Sequence, residues 1–528
     1  MGNVNKVFLL LFPLKKVLTS TLFSLSNTFG LCYNTVVLEI KNSVKKMLRK
    51  EQKRMKETVL AHFEALSAIP RPSGHEERAA AFLREWALSK GFSAEVDAWK
   101  NMLVDIPATA GFENAPRTVL QAHTDMVCVA EPGKKFDRLT DTPTLVYETA
   151  DDRELLHADG TSLGGDDGLG IATMMAAAEL APVHGPLRLI ATADEEDGMS
   201  GAKNLTREAL DADYLINLDS EEYGKLTNSS AGSQRVNFTR TPDWMDAPYP
   251  YGFTVRFAGF RGGHSGCDIH RDRCNVLWLL GQALANVPLA IHSLNGGKAS
   301  NAIPDEVTLR LVTADPDMLF RAVHWAYEQT QTFSDEPDSA SVSLVPTAGL
   351  TRTISPKASA DLLRLLAGLP CGVLAMSSDF EGLVATSCST GVAELNADEL
   401  RVQVLSRSSV PQGLPKTLEM LKIRALAHNF RLEIGEAGSI WTVARDNPLE
   451  RLFSEAYREV AGTELNIEPL HAGLETAEFA AMNPALSLVS VGATVHAVHS
   501  TAEYADLSTV EPFGQILNNV LEKIARLR

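Results

Sequence analysis

The chain has 528 residues, 45% hydrophobic and 22% charged, which makes it too long for one ordinary core and too apolar for a disordered segment. Its 49 Lys+Arg stand against 66 Asp+Glu, and the resulting net charge of −17 repels phosphate backbones and anionic membrane surfaces, so nucleic acid is excluded as a natural partner.

The charge is uneven along the chain. Residues 1–54 hold 10 Lys+Arg and 2 Asp+Glu, leaving 39 Lys+Arg against 64 Asp+Glu in the remainder. The short apolar run from Val7 to Leu14 is broken by Pro13 and followed by lysines, so neither a clean signal peptide nor a membrane span emerges. This stretch reads as an extension, disordered or created by a start placed upstream of Met55, and no membrane partner is expected. Six cysteines without a CxxC pair are too sparse for a disulfide framework, as suits a reducing cytoplasm.

From Met55 onward helices and strands alternate. Residues 76–90 place Ala79, Phe82, Leu83 and Trp86 on one helical face and stop at Gly91. Four short apolar runs, TVLQA (118–122), LRLIA (187–191), YLINL (214–218) and LSLVSV (486–491), have the composition of strands buried on both faces. A helix former, IATMMAAAELA (171–181), lies between the first two. From about 230 to 440 polar and apolar residues alternate instead, as in 253–257 and 307–312, with helices predicted at 275–285 and 415–428. The fold class is therefore α/β with an inserted α+β region, after which the chain returns to the first domain through a helix at 448–462.

The chemistry gathers where strands end. TVLQA runs into His123-Thr-Asp125, LRLIATA into Asp194-Glu195-Glu196-Asp197, and YLINL into Asp219-Ser-Glu221-Glu222. In open α/β sheets ligands sit beyond the carboxyl ends of the strands, and imidazole with carboxylates suits zinc or manganese, close carboxylates being able to bridge two ions. Singly, none of these is specific: an HxD pair is more often a surface turn or a satisfied core histidine than a metal site, a DEED run is usually a solvated loop or helix start, and Gly164-Gly165-Asp166-Asp167-Gly168 serves as a turn or helix N-terminus. Cys128 lies near His123 but has no orienting third group, and reads as a small hydrophobe.

In combination, HTDMVC (123–128), DGTSLGGDDGLGIA (159–172), DEEDGMSGA (194–202), LINLDSEEYGKL (215–226), GGHSGCDIH (262–270) and HAGLE (471–475) resemble the M20 family of metallopeptidases, and within it the bacterial aminoacyl-histidine dipeptidases. The resemblance implies a zinc-peptidase-like catalytic domain, a mixed sheet flanked by helices, in two parts (55–229 and 441–528), with an inserted α+β lid or dimerisation domain (230–440). It implies two divalent metal ions per chain, zinc with manganese or cobalt as alternatives, held by His123, Asp166, Asp219, Glu196 and His499, with Asp166 bridging. His499 is chosen over His496 because the family's HS pair aligns with His499-Ser500.

Glu195 then resembles the general base, Asp125 the carboxylate that orients His123, and His264 a histidine that polarises the scissile carbonyl. Arg407 in VLSRSS and Asn301 in the SNAIP turn are candidates for gripping a substrate carboxylate. The implied activity is hydrolysis of dipeptides with a free amino terminus, by a cytoplasmic enzyme acting as a single chain or as a homodimer. An M20-type aminoacylase or deacetylase acting on N-acyl amino acids is the rival, and a non-enzymatic binding protein a more distant one. Two departures bear on the pocket: Asp167 stands where the family commonly has Asn, and Ser229-Ser230-Ala231-Gly232-Ser233 replaces an expected Cys-Ala-Gly-Gly stretch.

Overall fold

The computed structural model describes residues 54–151, 153–378, 380, 382–444 and 446–527. The N-terminal extension thus lies, but for Arg54, outside the described residues.

The four runs of bulky apolar residues become the middle of an eight-stranded mixed sheet. Its order is Ser93–Val96, Met102–Ile106, Leu187–Thr192, Thr118–His123, Tyr214–Asn217, Ser487–Ser490, Lys225–Ser230 and Asn466–Leu470. The strands Leu187–Thr192, Thr118–His123, Tyr214–Asn217 and Ser487–Ser490 run parallel, so their carboxyl ends share one edge. Successive residues face opposite layers: Leu120, Leu189, Ile216 and Val489 join one apolar cluster, and their neighbours Val119, Ile190, Leu215 and Leu488 another. That explains strands with no polar face.

On the first face pack the helices Glu77–Ser89, Gly165–Leu180, Pro448–Ala461 and Val510–Ala525, which contribute Leu83, Ile171, Phe453 and Leu517 to that cluster. The predicted helix at 171–181 starts earlier, at Gly165, and its first turn departs from helical geometry at Asp166 and Asp167, whose connecting peptide is cis. Gly91 and Gly462 take positive φ directly after their helices, as the stop signals required.

The region that alternates polar and apolar residues folds as a second, wholly antiparallel sheet. It includes the predicted strands as Tyr251–Ala258 and Val307–Thr313, together with Leu400–Ser408 and Gly232–Arg240. Helices Val276–Leu284, Pro316–Thr330 and Pro356–Gly368 cover it, and its buried residues form a separate cluster running from Val236 to Phe430. The variant stretch at 229–233 is the crossing from one sheet to the other: Lys225–Ser230 belongs to the first and Gly232–Arg240 to the second, with Ala231 donating its N–H to Ala472 O at 3.0 Å. The five described cysteines are free, and no described helix is long and apolar enough to cross a membrane.

Candidate metal and catalytic site

The shared carboxyl edge assembles six of the predicted residues. His123 ends its strand, Glu195 and Glu196 follow the Leu187–Thr192 strand, and Asp219 follows Tyr214–Asn217. Asp166 enters from the non-helical first turn of its helix, and His499 from the loop between the short paired strands Val495–His496 and Tyr504–Asp506. His123 Nε2 lies 2.9 Å from Asp166 Oδ1 and 3.5 Å from Asp219 Oδ1. His499 Nε2 lies 3.2 Å from Asp166 Oδ2 and 2.9 Å from Glu196 Oε2. Asp166 therefore offers one oxygen to each histidine. His496 is exposed and packs its ring on Tyr504, apart from this cluster.

The donor set fits divalent cations. Three groups, His123 with Asp166 and Asp219, His123 with Glu195 and Glu196, and Asp166 with Glu196 and His499, each bring one ligand atom per residue within 4.8 Å of the others. Glu196 Oε1 is buried without a hydrogen-bond partner. Carboxylates this close and this shielded repel one another, and a cation removes the penalty. His499 and Asp194 sit at φ +60° and +59°, unusual for residues other than glycine, and both border the cluster.

Asp125 has more partners than the imidazole of His123. Its Oδ1 stands 3.4 Å from His123 Nδ1, which has no other partner, so that contact is long for a hydrogen bond. Its firmer partners are Glu195 N–H to Oδ1 and Glu196 N–H to Oδ2, both 3.1 Å, and the Ser73 hydroxyl at 2.8 Å. One buried carboxylate thus ties the His123 strand to the backbone of both glutamates. Asp167, where an Asn is common, accepts from His123 N–H at 3.2 Å and Gly170 N–H at 3.1 Å. Burial, and then Asp219 nearby, pushes its carboxyl well above the usual range. Burial likewise raises the Glu195 carboxyl, with Asp219, Glu196 and Glu475 adding to the effect.

Beneath the site lies a polar layer that sequence reasoning did not anticipate. Gln121 receives Asn217 Nδ2 at 2.7 Å and donates to Thr192 Oγ1 at 3.0 Å and Glu475 Oε2 at 2.6 Å; Thr192 also donates to Glu475 at 2.7 Å. These bonds join all three ligand-bearing strands to the HAGLE segment. Burial lifts the Glu475 carboxyl to about 8.

His264 is not part of the six-residue cluster but forms a second group with Arg407. It lies on a two-residue strand paired with Ala302–Ile303, next to the SNAIP turn. Its Nδ1 accepts the Cys267 N–H at 3.0 Å, and its Nε2 is 3.1 Å from Arg407 Nη2. Burial, and then Arg407, lowers its pKa to about 4, so the ring is neutral with its proton on Nε2. Two N–H donors, from His264 and Arg407, then face each other, an arrangement suited to a shared anionic acceptor. Buried Arg407 Nε, His471 Nδ1 and Ser265 Oγ have no partner of their own. Asn301 meets this loop only through its carbonyl, which accepts Ser265 N–H at 2.8 Å; its side chain is exposed.

Residues 119–523 match Peptidase family M20/M25/M40. The chain is 33% identical over 473 residues to the cytosol non-specific dipeptidase of Escherichia coli (strain K12), covering 88% of this chain and 96% of that protein. Its fold is similar to the crystal structure of aminoacylhistidine dipeptidase from Vibrio alginolyticus, with a TM-score of 0.72, 30% identity and coverage of 88% and 96% of the two chains. A tripeptidase from Staphylococcus aureus subsp. aureus Mu50 shares the fold at a TM-score of 0.52 and 15% identity, covering 89% of this chain and 99% of that one. The assembled histidines and carboxylates, the fold and the match over most of the sequence agree: this chain belongs to Peptidase family M20/M25/M40.

Proposed function

We propose that the protein is a di-metal dipeptidase acting on short peptides with a free amino terminus, Xaa-His or broader in preference. The observation that carries this reading is the pair of ligand groups sharing Asp166, combined with likeness to two dipeptidases across nearly their whole lengths. His123 and Asp219 would hold one ion and Glu196 and His499 the other, with Asp166 between them; zinc is the cation proposed, manganese and cobalt the alternatives. Such ions supply Lewis acidity and a nucleophile at neutral pH by lowering the pKa of water.

The chain's own residues do the remaining work. Glu195, half-buried and with a raised pKa, takes a proton from the attacking water and passes it to the leaving amine. Asp125 fixes the backbone of both glutamates, so base and ligand keep their relative placement. The facing N–H groups of His264 and Arg407 serve as donors to substrate oxygen, His264 toward the scissile carbonyl and Arg407 toward the carboxylate. Asn301 is the weaker carboxylate contact, reaching the loop through its backbone.

Residues 55–229 with 441–528 are read as the catalytic domain and 230–440 as the lid, a division supported by two separate apolar cores. A cytoplasmic homodimer completes the reading. The test is a panel of dipeptides and N-acyl amino acids assayed on metal-free protein and after adding zinc, manganese or cobalt. Metal-dependent cleavage of free dipeptides is expected. Hydrolysis of N-acyl amino acids alone would replace the proposal with an aminoacylase.

A further inference from the structure

The loop that carries Asp166 is gripped from two sides by buried charged side chains. Arg71, 1% exposed, donates through Nη1 to the carbonyls of Thr124 at 2.9 Å and Asp125 at 2.8 Å, and through Nη2 to the carbonyl of Gly164. Glu503, 2% exposed, receives four consecutive backbone N–H groups: Leu163 at 2.8 Å and Gly164 at 3.0 Å on Oε2, Gly165 at 2.8 Å and Asp166 at 3.3 Å on Oε1. Among the described residues the two charges form no ion pair with each other; the loop backbone lies between them.

The glycines of the motif follow from this grip. A Cβ at Gly164, whose φ is +71°, would stand 2.6 Å from Arg71 Nη2 and 2.7 Å from the Met126 sulfur. A Cβ at Gly168 would also come within 2.6 Å of Arg71 Nη2. LGGDDG is therefore shaped in part by a guanidinium 93 residues upstream of Gly164.

We propose that Arg71 and Glu503 are positioning residues that clamp residues 163–166, so that Asp166 presents one oxygen toward His123 and the other toward His499. The inference rests on the two-metal reading above and extends it to residues that are not ligands. Arg71 also holds the His123–Asp125 turn, so it links the first histidine to the shared aspartate; Glu503 lies four residues beyond His499 and links the second. Because Asp166 serves both ligand groups, disturbing its loop weakens both sites together, whereas loss of Glu196 strikes one.

The experiment is calorimetric titration of metal-free protein with Zn²⁺ for wild type, Glu503→Gln, Arg71→Lys and Glu196→Ala, well below each melting temperature, with Tm recorded separately. A Gln at 503 turns one acceptor oxygen into an amide facing two backbone N–H groups. A Lys at 71 cannot serve carbonyls on both segments. Both variants should bind each of two ions about 10- to 100-fold more weakly, as loss of partners to metal ligands does, and excess Zn²⁺ should restore kcat toward wild type.

Unchanged affinity with a lowered Tm would make the two residues merely structural and overturn the clamp, as would weakening of one site alone. If Glu503→Gln does not fold, Arg71→Lys decides the matter by the same criteria. Wild-type protein that binds no divalent ion would overturn the metal reading and this inference with it, while tight binding by wild type and variants alike would overturn the clamp alone.

Discussion

Replacing Asp125 by Asn tests the site at the point where most contacts meet. The carboxylate accepts from Ser73, Glu195 N–H and Glu196 N–H, and each of its oxygens receives one of the two glutamate amides. An Asn keeps the shape and only one acceptor oxygen, so whichever way the amide turns, its NH2 confronts a backbone N–H. A buried donor left unpaired costs about 1–3 kcal/mol, equivalent to roughly 5- to 150-fold in a rate or binding constant. The backbone of Glu195 or Glu196 must shift to relieve it. Steady-state hydrolysis of a dipeptide by metal-reloaded Asp125→Asn should therefore show kcat/KM reduced by that factor, with kcat itself falling. If metal affinity dropped while kcat at saturating metal stayed at the wild-type value, Asp125 would act only through His123 and the argument from the glutamate backbone would be wrong.

Glu195→Ala should keep metal and lose about two to four powers of ten in turnover, while Glu196→Ala should lose metal; metal analysis beside kcat checks this, and swapped phenotypes would reverse the two roles. His264→Ala should leave metal content intact and lower kcat more than it raises KM, a loss confined to the transition state; unaltered kcat would remove it from catalysis. Glu475 gives a pH signature in the metal-free protein. Its folded pKa of about 8 exceeds the ordinary carboxylate value of 4.5, so between those limits the folded chain holds a proton the unfolded chain has released, and stability falls as pH rises. Glu475→Gln should flatten that decline in Tm across the window from 4.5 to about 8, and an unaltered slope would show that the carboxyl does not titrate there.

The strand ends were legible because apolar runs such as TVLQA and YLINL can lie only inside a sheet, and each leads directly into His or carboxylate. Lys225–Ser230 was not legible: KLTNSS carries a single bulky apolar residue, yet all of it beyond Lys225 is buried, with Asn228 donating to Glu450 Oε1 at 3.1 Å. Arg71, Glu475 and Glu503 were hidden for another reason. Arg71 and Glu503 are lone charges in unremarkable stretches and Glu475 closes the HAGLE motif with no role that spacing reveals; their partners are backbone atoms or residues hundreds of positions away, as in the 354 residues separating Gln121 from Glu475. Spacing rules find ligands that share an element; they have no purchase on a carboxylate that reads backbone N–H groups. Arg407 and Asn301 illustrate the same limit, since both lie near His264 but only the arginine turns a buried side chain toward it.

The route by which His499 reaches Asp166 has a consequence for how the chain acquires its ions. The two are 333 residues apart, and the intervening chain contains the entire second sheet. No short segment holds a complete ligand group, so the unfolded polypeptide offers the ions little grip. They bind the finished fold and stabilise it by mass action, which makes melting temperature rise with free metal concentration and turns metal starvation into a loss of protein as well as of activity.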